Sequence, residues 1–234
     1  EGVLGNVDDN TKLEETGTTF KANLSYQSSE DMLVYGQWAQ GFRLGGSGLA
    51  PPSPALCDVN NDGILDGTNS PITGVFDSDN VENFELGAKL TLLDNRLQIN
   101  AAVYRINWED IPLSIGAQKL PSQPVQICFS AITANAGDAR SQGFEIETTY
   151  QLNEKLRLSL GGAYINAELT EVADTVRGTL SEGDRLPSAP EVNVNLGLQY
   201  EFELGGYASY ARGDYSYVSD YFASPGESGG GAGL

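Results

Sequence analysis

The stretch Val81 to Pro112, VENFELGAKLTLLDNRLQINAAVYRINWEDIP, decides the fold. Phe84, Leu86, Ala88, Leu90 and Leu92 fall on one face, and Asn83, Glu85, Gly87, Lys89 and Thr91 on the other, which is the period of two of a strand. Leu93-Asp94-Asn95-Arg96 makes a tight turn. Leu97, Ile99, Ala101 and Val103 then oppose Gln98, Asn100, Ala102 and Tyr104, so the stretch is a long hairpin with one apolar and one polar face. Each arm runs about ten residues, the length a tilted strand needs to cross bilayer hydrocarbon and longer than the five or six usual in soluble sheets. Such a sheet can face lipid.

The same plan recurs along the chain. Strand one is expected over Thr18 to Gln27, with a turn at Ser28 to Asp31, and strand two from Met32 to about Leu44. In strand two a bulge would reconcile Trp38 with Leu33 and Tyr35. The opening hairpin supplies strands three and four; Gln142 to Leu152, Lys155 to about Asn166, Val192 to Phe202 and Tyr207 to Val218 supply the remaining four. Connections within these pairs are tight, whereas the insertions near 45–80, 109–140 and 167–190 are long. In an up-and-down meander, short and long connections therefore collect at opposite ends. With long strands and with Tyr26, Tyr150, Tyr164, Tyr200 and Phe202 near strand ends, this is the pattern of an all-β, antiparallel transmembrane barrel section with short periplasmic turns and long extracellular loops. A soluble sandwich would more often show shorter strands and Greek-key crossings.

Composition narrows the function. The 234 residues hold 32 acidic against 13 basic side chains, a net charge of −19 that argues against nucleic acid as a partner. There is no histidine, which removes imidazole metal sites and histidine-based triads. The two cysteines, Cys57 and Cys128, fit one disulfide between neighbouring loops in an oxidising compartment, or two separate thiols. No apolar run approaches the roughly 18 residues of a spanning helix. The glycine-rich stretch from Gly226 to Leu234 reads as loop or linker.

Four segments carry a family resemblance: YGQWAQGFRLGG at Tyr35 to Gly46, the opening stretch, NAGDARSQGFEIETTYQL at Asn135 to Leu152, and GDRLPSAPEVNVNLGLQYEF at Gly183 to Phe202. Together they resemble the C-terminal barrel of TonB-dependent outer-membrane receptors. The resemblance implies a plugged barrel of about 22 strands that imports a scarce nutrient, such as siderophore-bound iron, a corrinoid or a glycan, with energy delivered through TonB. Nothing in residues 1–234 resembles the plug or closing strands, so the chain is expected to be a section of such a receptor. It would be non-enzymatic, with outer-membrane lipid, a small-molecule or glycan ligand, and TonB reached through the plug as partners. A small stand-alone barrel acting as an adhesin or structural protein, and a secreted calcium-binding β-sandwich, are the rival readings.

Among candidate sites, Asp58, Asn60, Asp62, Ile64 and Asp66 fit the first nine positions of a calcium loop, with Gly63 at the turn; Asn69 stands where a bidentate Glu would be, so Asp77, Asp79 or water would have to help. No cofactor is required, Ca²⁺ being the one candidate. Glu85, Lys89, Glu145, Glu147, Arg157 and Gln199 are expected to line the lumen. Glu145 and Glu147 would stand about 7 Å apart on their strand, near an inverting glycosidase spacing, a coincidence common on any sheet. Arg105 falls on the otherwise apolar face, for which a bulge or a lipid headgroup is the available explanation.

Overall fold

The computed structural model describes residues 16–48, 51, 53–120, 122–125 and 127–225; the glycine-rich run from Gly226 lies outside them. In order they form β1 (Lys21–Ser29), β2 (Met32–Arg43), β3 (Gly46–Ser47), a single helical turn α1 (Pro54–Cys57), β4 (Val75–Phe76), β5 (Asp79–Leu92), β6 (Leu97–Glu109), β7 (Pro112–Gly116), β8 (Ala131–Asn135), β9 (Gly137–Asn153), β10 (Leu156–Val172), β11 (Val192–Leu204) and β12 (Tyr207–Val218). Eight of these make one antiparallel sheet in the order β1-β2-β5-β6-β9-β10-β11-β12. Each strand pairs with its neighbour in the chain, loop strands aside, which is the expected meander. β1 and β12 are its two edges and do not pair with each other among the described residues, unlike those of a closed eight-stranded barrel.

Turn chemistry sets the tight ends. Leu93, Asp94 and Asn95 all take positive φ (57°, 56° and 66°), and the Arg96 N–H closes the turn on the Leu93 carbonyl at 3.2 Å. Gly205 and Gly206, at φ 63° and 83°, provide the two left-handed positions that a two-residue hairpin demands. At the third turn the Asn153 side chain accepts the N–H groups of Lys155 (2.9 Å) and Leu156 (3.0 Å).

Register separates two faces. Leu24, Gly36, Leu86, Val103, Phe144, Tyr164 and Val192 form one cross-strand row, and Tyr26, Val34, Ala88, Ala101, Ile146, Gly162, Val194 and Tyr217 form the next. These side chains are uncovered: Leu24 is 78% exposed, Leu86 57% and Val103 54%. From Leu92 to Phe84 the strand climbs about 27 Å at roughly 3.4 Å per residue, or about 21 Å along the normal at a tilt near 40°. A continuous apolar band of nearly bilayer height therefore has no protein against it among the described residues.

The expected bulge in β2 is absent. Met32 to Arg43 pair without interruption with Leu90 to Asp79, and the one irregularity of the first hairpin lies between Gln27 and Ser29. Trp38 belongs to the apolar face while Leu33 and Tyr35 stand on the polar one, because the Tyr35 ring lies over Gly87 and its hydroxyl donates to Glu85 Oε1 at 2.6 Å. A tyrosine needs no apolar face when a glycine offers room for the ring and a carboxylate accepts the hydroxyl's hydrogen bond. Arg105 likewise keeps its place on the apolar face opposite Phe84 in an unbroken ladder.

Candidate functional site

The site is built where the polar face meets the long loops. All six side chains expected to line a lumen stand on the polar face. Lys89, Asn100 and Glu147 share one row with Gly161 and Asn195; Arg157, Gln199 and Arg212 share another; Glu145 sits opposite Ala102 and Ala163, and Glu85 between Gln37 and Tyr104. Arg157 Nε donates to Gln151 Oε1 (3.0 Å), and Gln199 Nε2 to Glu201 Oε1 (3.1 Å). A hollow of about 380 Å³ on this face is lined by Asn100, Glu147, Ser159, Asn195, Arg212 and Asp214 among others.

Above this face the loops fold on one another. β7 and β8 pair as a hairpin, and their Leu113, Ile115 and Ala134 pack with Ile111, Ala139, Leu169, Val172, Val176 and Leu180 into a buried cluster. Ala139, Leu169 and Val172 belong to β9 and β10, which run on past their expected limits at Gln142 and Asn166 to support it. A second cluster gathers Cys57, Leu65, Ala117, Cys128 and Ile132. Cys57 and Cys128 are joined as a disulfide with Cα atoms 4.9 Å apart, so the first and second long loops are covalently tied.

Polar bonds complete the roof. Asn135 Oδ1 accepts the Asp77 N–H (2.7 Å), and its Nδ2 donates to the carbonyls of Asp110 (2.7 Å) and Asp77 (3.2 Å). The first loop also reaches the third, where the Asn69 N–H and Ser70 Oγ donate to the Thr175 carbonyl at 3.1 and 2.8 Å. At the root of the loops Asp79, 2% exposed, accepts two bonds from Arg43 (2.8 and 2.9 Å) and one from Trp108 Nε1 (2.5 Å). Arg43 also lies over the Trp108 ring, 5.6 Å from its centroid. Sequence reasoning missed Asn135 and this triad; Arg43 stands in the sequence only as part of YGQWAQGFRLGG, and nothing in one sequence pairs it with Asp79, 36 positions away.

The calcium-like loop is held by its own backbone. Asp58 accepts the N–H groups of Asp62 (2.9 Å) and Gly63 (2.8 Å), Asp62 accepts that of Ile64 (2.8 Å), and Asn60 Nδ2 donates to Asp62 (2.7 Å). Asp66 is turned inward, accepting from the Val59 N–H and from Gln123 Nε2, each at 3.2 Å. Among the described residues no three acidic or thiol side chains converge on a metal-sized centre. Asp79, one of the helpers the sequence suggested, accepts from Arg43 and Trp108 at the root of the loops.

An antiparallel meander of bilayer-length strands, bare and apolar on one face, polar on the other and roofed at one end by linked loops, is a section of an outer-membrane β-barrel. The chain belongs to the TonB-dependent receptor-like β-barrel family, whose model matches residues 2–231. It is 32% identical over 155 residues to the metal-pseudopaline receptor CntO of Pseudomonas aeruginosa, covering 66% of this chain and 20% of that protein. It is 22% identical over 212 residues to the probable TonB-dependent siderophore receptor PiuA of Acinetobacter baumannii, covering 86% and 25%. Among solved structures, the ferric preacinetobactin receptor BauA of Acinetobacter baumannii superimposes with a TM-score of 0.60 at 21% identity, covering 92% of this chain and 28% of that one. The ferric yersiniabactin uptake receptor FyuA of Yersinia pestis gives 0.58 at 19%, covering 86% and 26%. The chain thus spans a fifth to a quarter of the length of these curated relatives, and its place is the bacterial outer membrane, with the apolar band against lipid.

Proposed function

We propose that this chain forms part of the wall and outer vestibule of a receptor that captures a scarce nutrient and imports it with energy delivered through TonB, the nutrient being a metal bound by a small organic chelator. The observation that carries this reading is the roof: three long loops, joined by a disulfide and two buried clusters, stand over a polar face bearing Glu85, Lys89, Glu145, Glu147, Arg157 and Gln199. Such a roof supplies a pre-organised mouth, which reduces the ordering cost of ligand capture, and the polar rows below it offer a water-filled path. The relatives named for metal-pseudopaline and siderophores favour a metal chelate over a corrinoid or a glycan.

The test is uptake by the full receptor in a host stripped of its own metal-chelate receptors. Growth on one or more ferric, zinc or nickel chelates under metal starvation, lost when TonB is deleted, is the expected result; growth on corrinoid or glycan alone overturns it. Calcium belongs to this reading as a weak ligand of the loop from Asp58 to Asp66. To bind, it must draw onto one centre three carboxylates that now hold N–H groups, which places it in the millimolar range of extracellular calcium modules. Binding measured with EGTA and with millimolar calcium decides the point.

A further inference from the structure

We propose that Arg43 is a ligand-binding guanidinium of the vestibule, and that the chelate it receives turns one free carboxylate toward it. The inference rests on the reading of this chain as part of a metal-chelate receptor, and it names the chemistry by which that receptor chooses. Arg43 pairs with Asp79 at the loop end of β2 and β5. By alternation from Tyr35 it belongs to the polar face. It lies five residues beyond Trp38, whose row with Phe84 and Arg105 is the loop-side edge of the apolar band. At roughly 3.4 Å per residue that is about 17 Å farther along the strand, where a molecule arriving from outside meets the wall first.

Its surroundings fix the guanidinium and leave one edge open. Asp79 accepts from Nε at 2.8 Å and from Nη2 at 2.9 Å, so it occupies the Nε side. A guanidinium has five N–H groups; the second of Nη2 and both of Nη1 remain, and among the described residues no acceptor is bonded to them. Nη1 and Nη2 together make a second fork of the width of a carboxylate. The Asp79 side chain is 3% exposed and that of Arg43 56%, which sets the anchored edge inward and the vacant edge toward the open side. Trp108 adds a platform, since the guanidinium lies over its ring, its Nε1 donates to the same Asp79, and it packs against the buried cluster of the roof. Donors held from two sides lose little freedom on binding. By contrast Arg177 and Asp174, 69% and 91% exposed, pair without a buried anchor. The insertion from Gly45 to Asn80 carries five aspartates and no lysine or arginine. Chelates with several unbalanced negative charges are repelled there, so the one that fits has low net charge and a single carboxylate free of the metal.

The experiment has two stages, both on the full receptor. Growth under metal starvation first shows which chelates of a panel are accepted: ferric, zinc and nickel complexes of aminopolycarboxylates and of citrate, against a ferric trihydroxamate and a ferric triscatecholate that carry no carboxylate. Acceptance of a carboxylate-bearing chelate is expected. Titration calorimetry on the receptor in mild detergent then compares that chelate with its analogue in which the free carboxylate is a primary amide. The amide is expected to bind about tenfold more weakly, the worth of one hydrogen bond to a charged group. Arg43→Gln weakens the acid form by the same factor and leaves the amide form unchanged, so the two become equal. Arg43→Lys recovers only part of the difference, because an ammonium has no fork. A loosened roof would weaken both forms alike and keep their ratio, and a preserved ratio in Arg43→Gln overturns the proposal. Equal binding of acid and amide to the unaltered receptor overturns it too, and is the result expected if an acidic side chain from elsewhere in the receptor holds that edge. Acceptance of the trihydroxamate or triscatecholate alone has the same force. Growth on no metal chelate of any kind instead removes the transport reading itself, and this inference with it.

Discussion

Breaking the Cys57–Cys128 bond should loosen the roof and leave the wall untouched. The bond spans 71 positions, but the chain between them includes the hairpin of β5 and β6, which stays folded when the loops open. The ring that matters therefore runs from Cys57 to Asp79 and from Glu109 back to Cys128, about 40 flexible residues, for which the chain-entropy relation gives about 4 kcal/mol. Measured disulfides typically deliver about 2–4 kcal/mol, so amide protection in the loops should fall by between one and a half and about three powers of ten. The assay is hydrogen exchange of the full receptor in detergent, comparing it with the Cys57→Ala/Cys128→Ala variant. The reporters are peptides carrying the Leu65, Asp66 and Ala117 N–H groups, which donate to Ser70, Cys57 and Ser130. Unchanged protection there would mean that the two buried clusters hold the roof without the bond. An equal loss in β5 and β6 would mean that loops and wall are one cooperative unit. Either result refutes the reasoning.

Other outcomes follow from single contacts. Asp79→Ala leaves Trp108 Nε1 and the half-exposed Arg43 without their acceptor, and should cost about 2 kcal/mol of loop stability, seen as faster proteolysis between 45 and 80. Gly87→Val drives a side chain into the Tyr35 ring and should destabilise the barrel by about 1–3 kcal/mol in urea unfolding from lipid vesicles; an unchanged midpoint would mean that the ring swings away freely. Tyr35→Phe, by contrast, removes one hydroxyl on the polar face, and should cost about 1 kcal/mol or less by the same assay. Millimolar calcium should raise exchange protection of residues 57–66 only weakly, and a saturable effect at micromolar calcium would show that the loop rearranges into a far better site.

The wall was legible in the sequence because the bilayer imposes a simple rule. Within the band, every second residue of β5, β6, β10 and β11 is uncharged except Arg105, and most are apolar, so the faces and turns could be read at single-residue precision. The rule ends where the lipid ends. Gly137 to Ser141 and Ala167 to Val172 are strand, but no hydrocarbon enforces alternation there, and polar residues such as Asp138, Arg140 and Glu168 read as loop. Tyr35 misled for a related reason: aromaticity suggested lipid, whereas its environment is set by Gly87 and Glu85, residues 52 and 50 positions on. The roof was opaque throughout, since Asn135, Thr175 and Asp79 act through partners far along the chain. Only the cysteine pair could be anticipated, and then as one of two alternatives.

The disulfide also constrains how the molecule can be assembled. Its two halves lie on either side of one complete hairpin, whose tight turn points to the periplasm while both cysteines end up outside the cell. Oxidation in the periplasm before insertion would make a closed covalent lasso, and both flanking loops would then have to cross the bilayer together, drawn through as a double thread with the hairpin behind them. Oxidation after insertion would need an oxidant beyond the outer membrane. The order of these two events therefore decides whether this part of the wall is threaded strand by strand or delivered as a prefabricated loop.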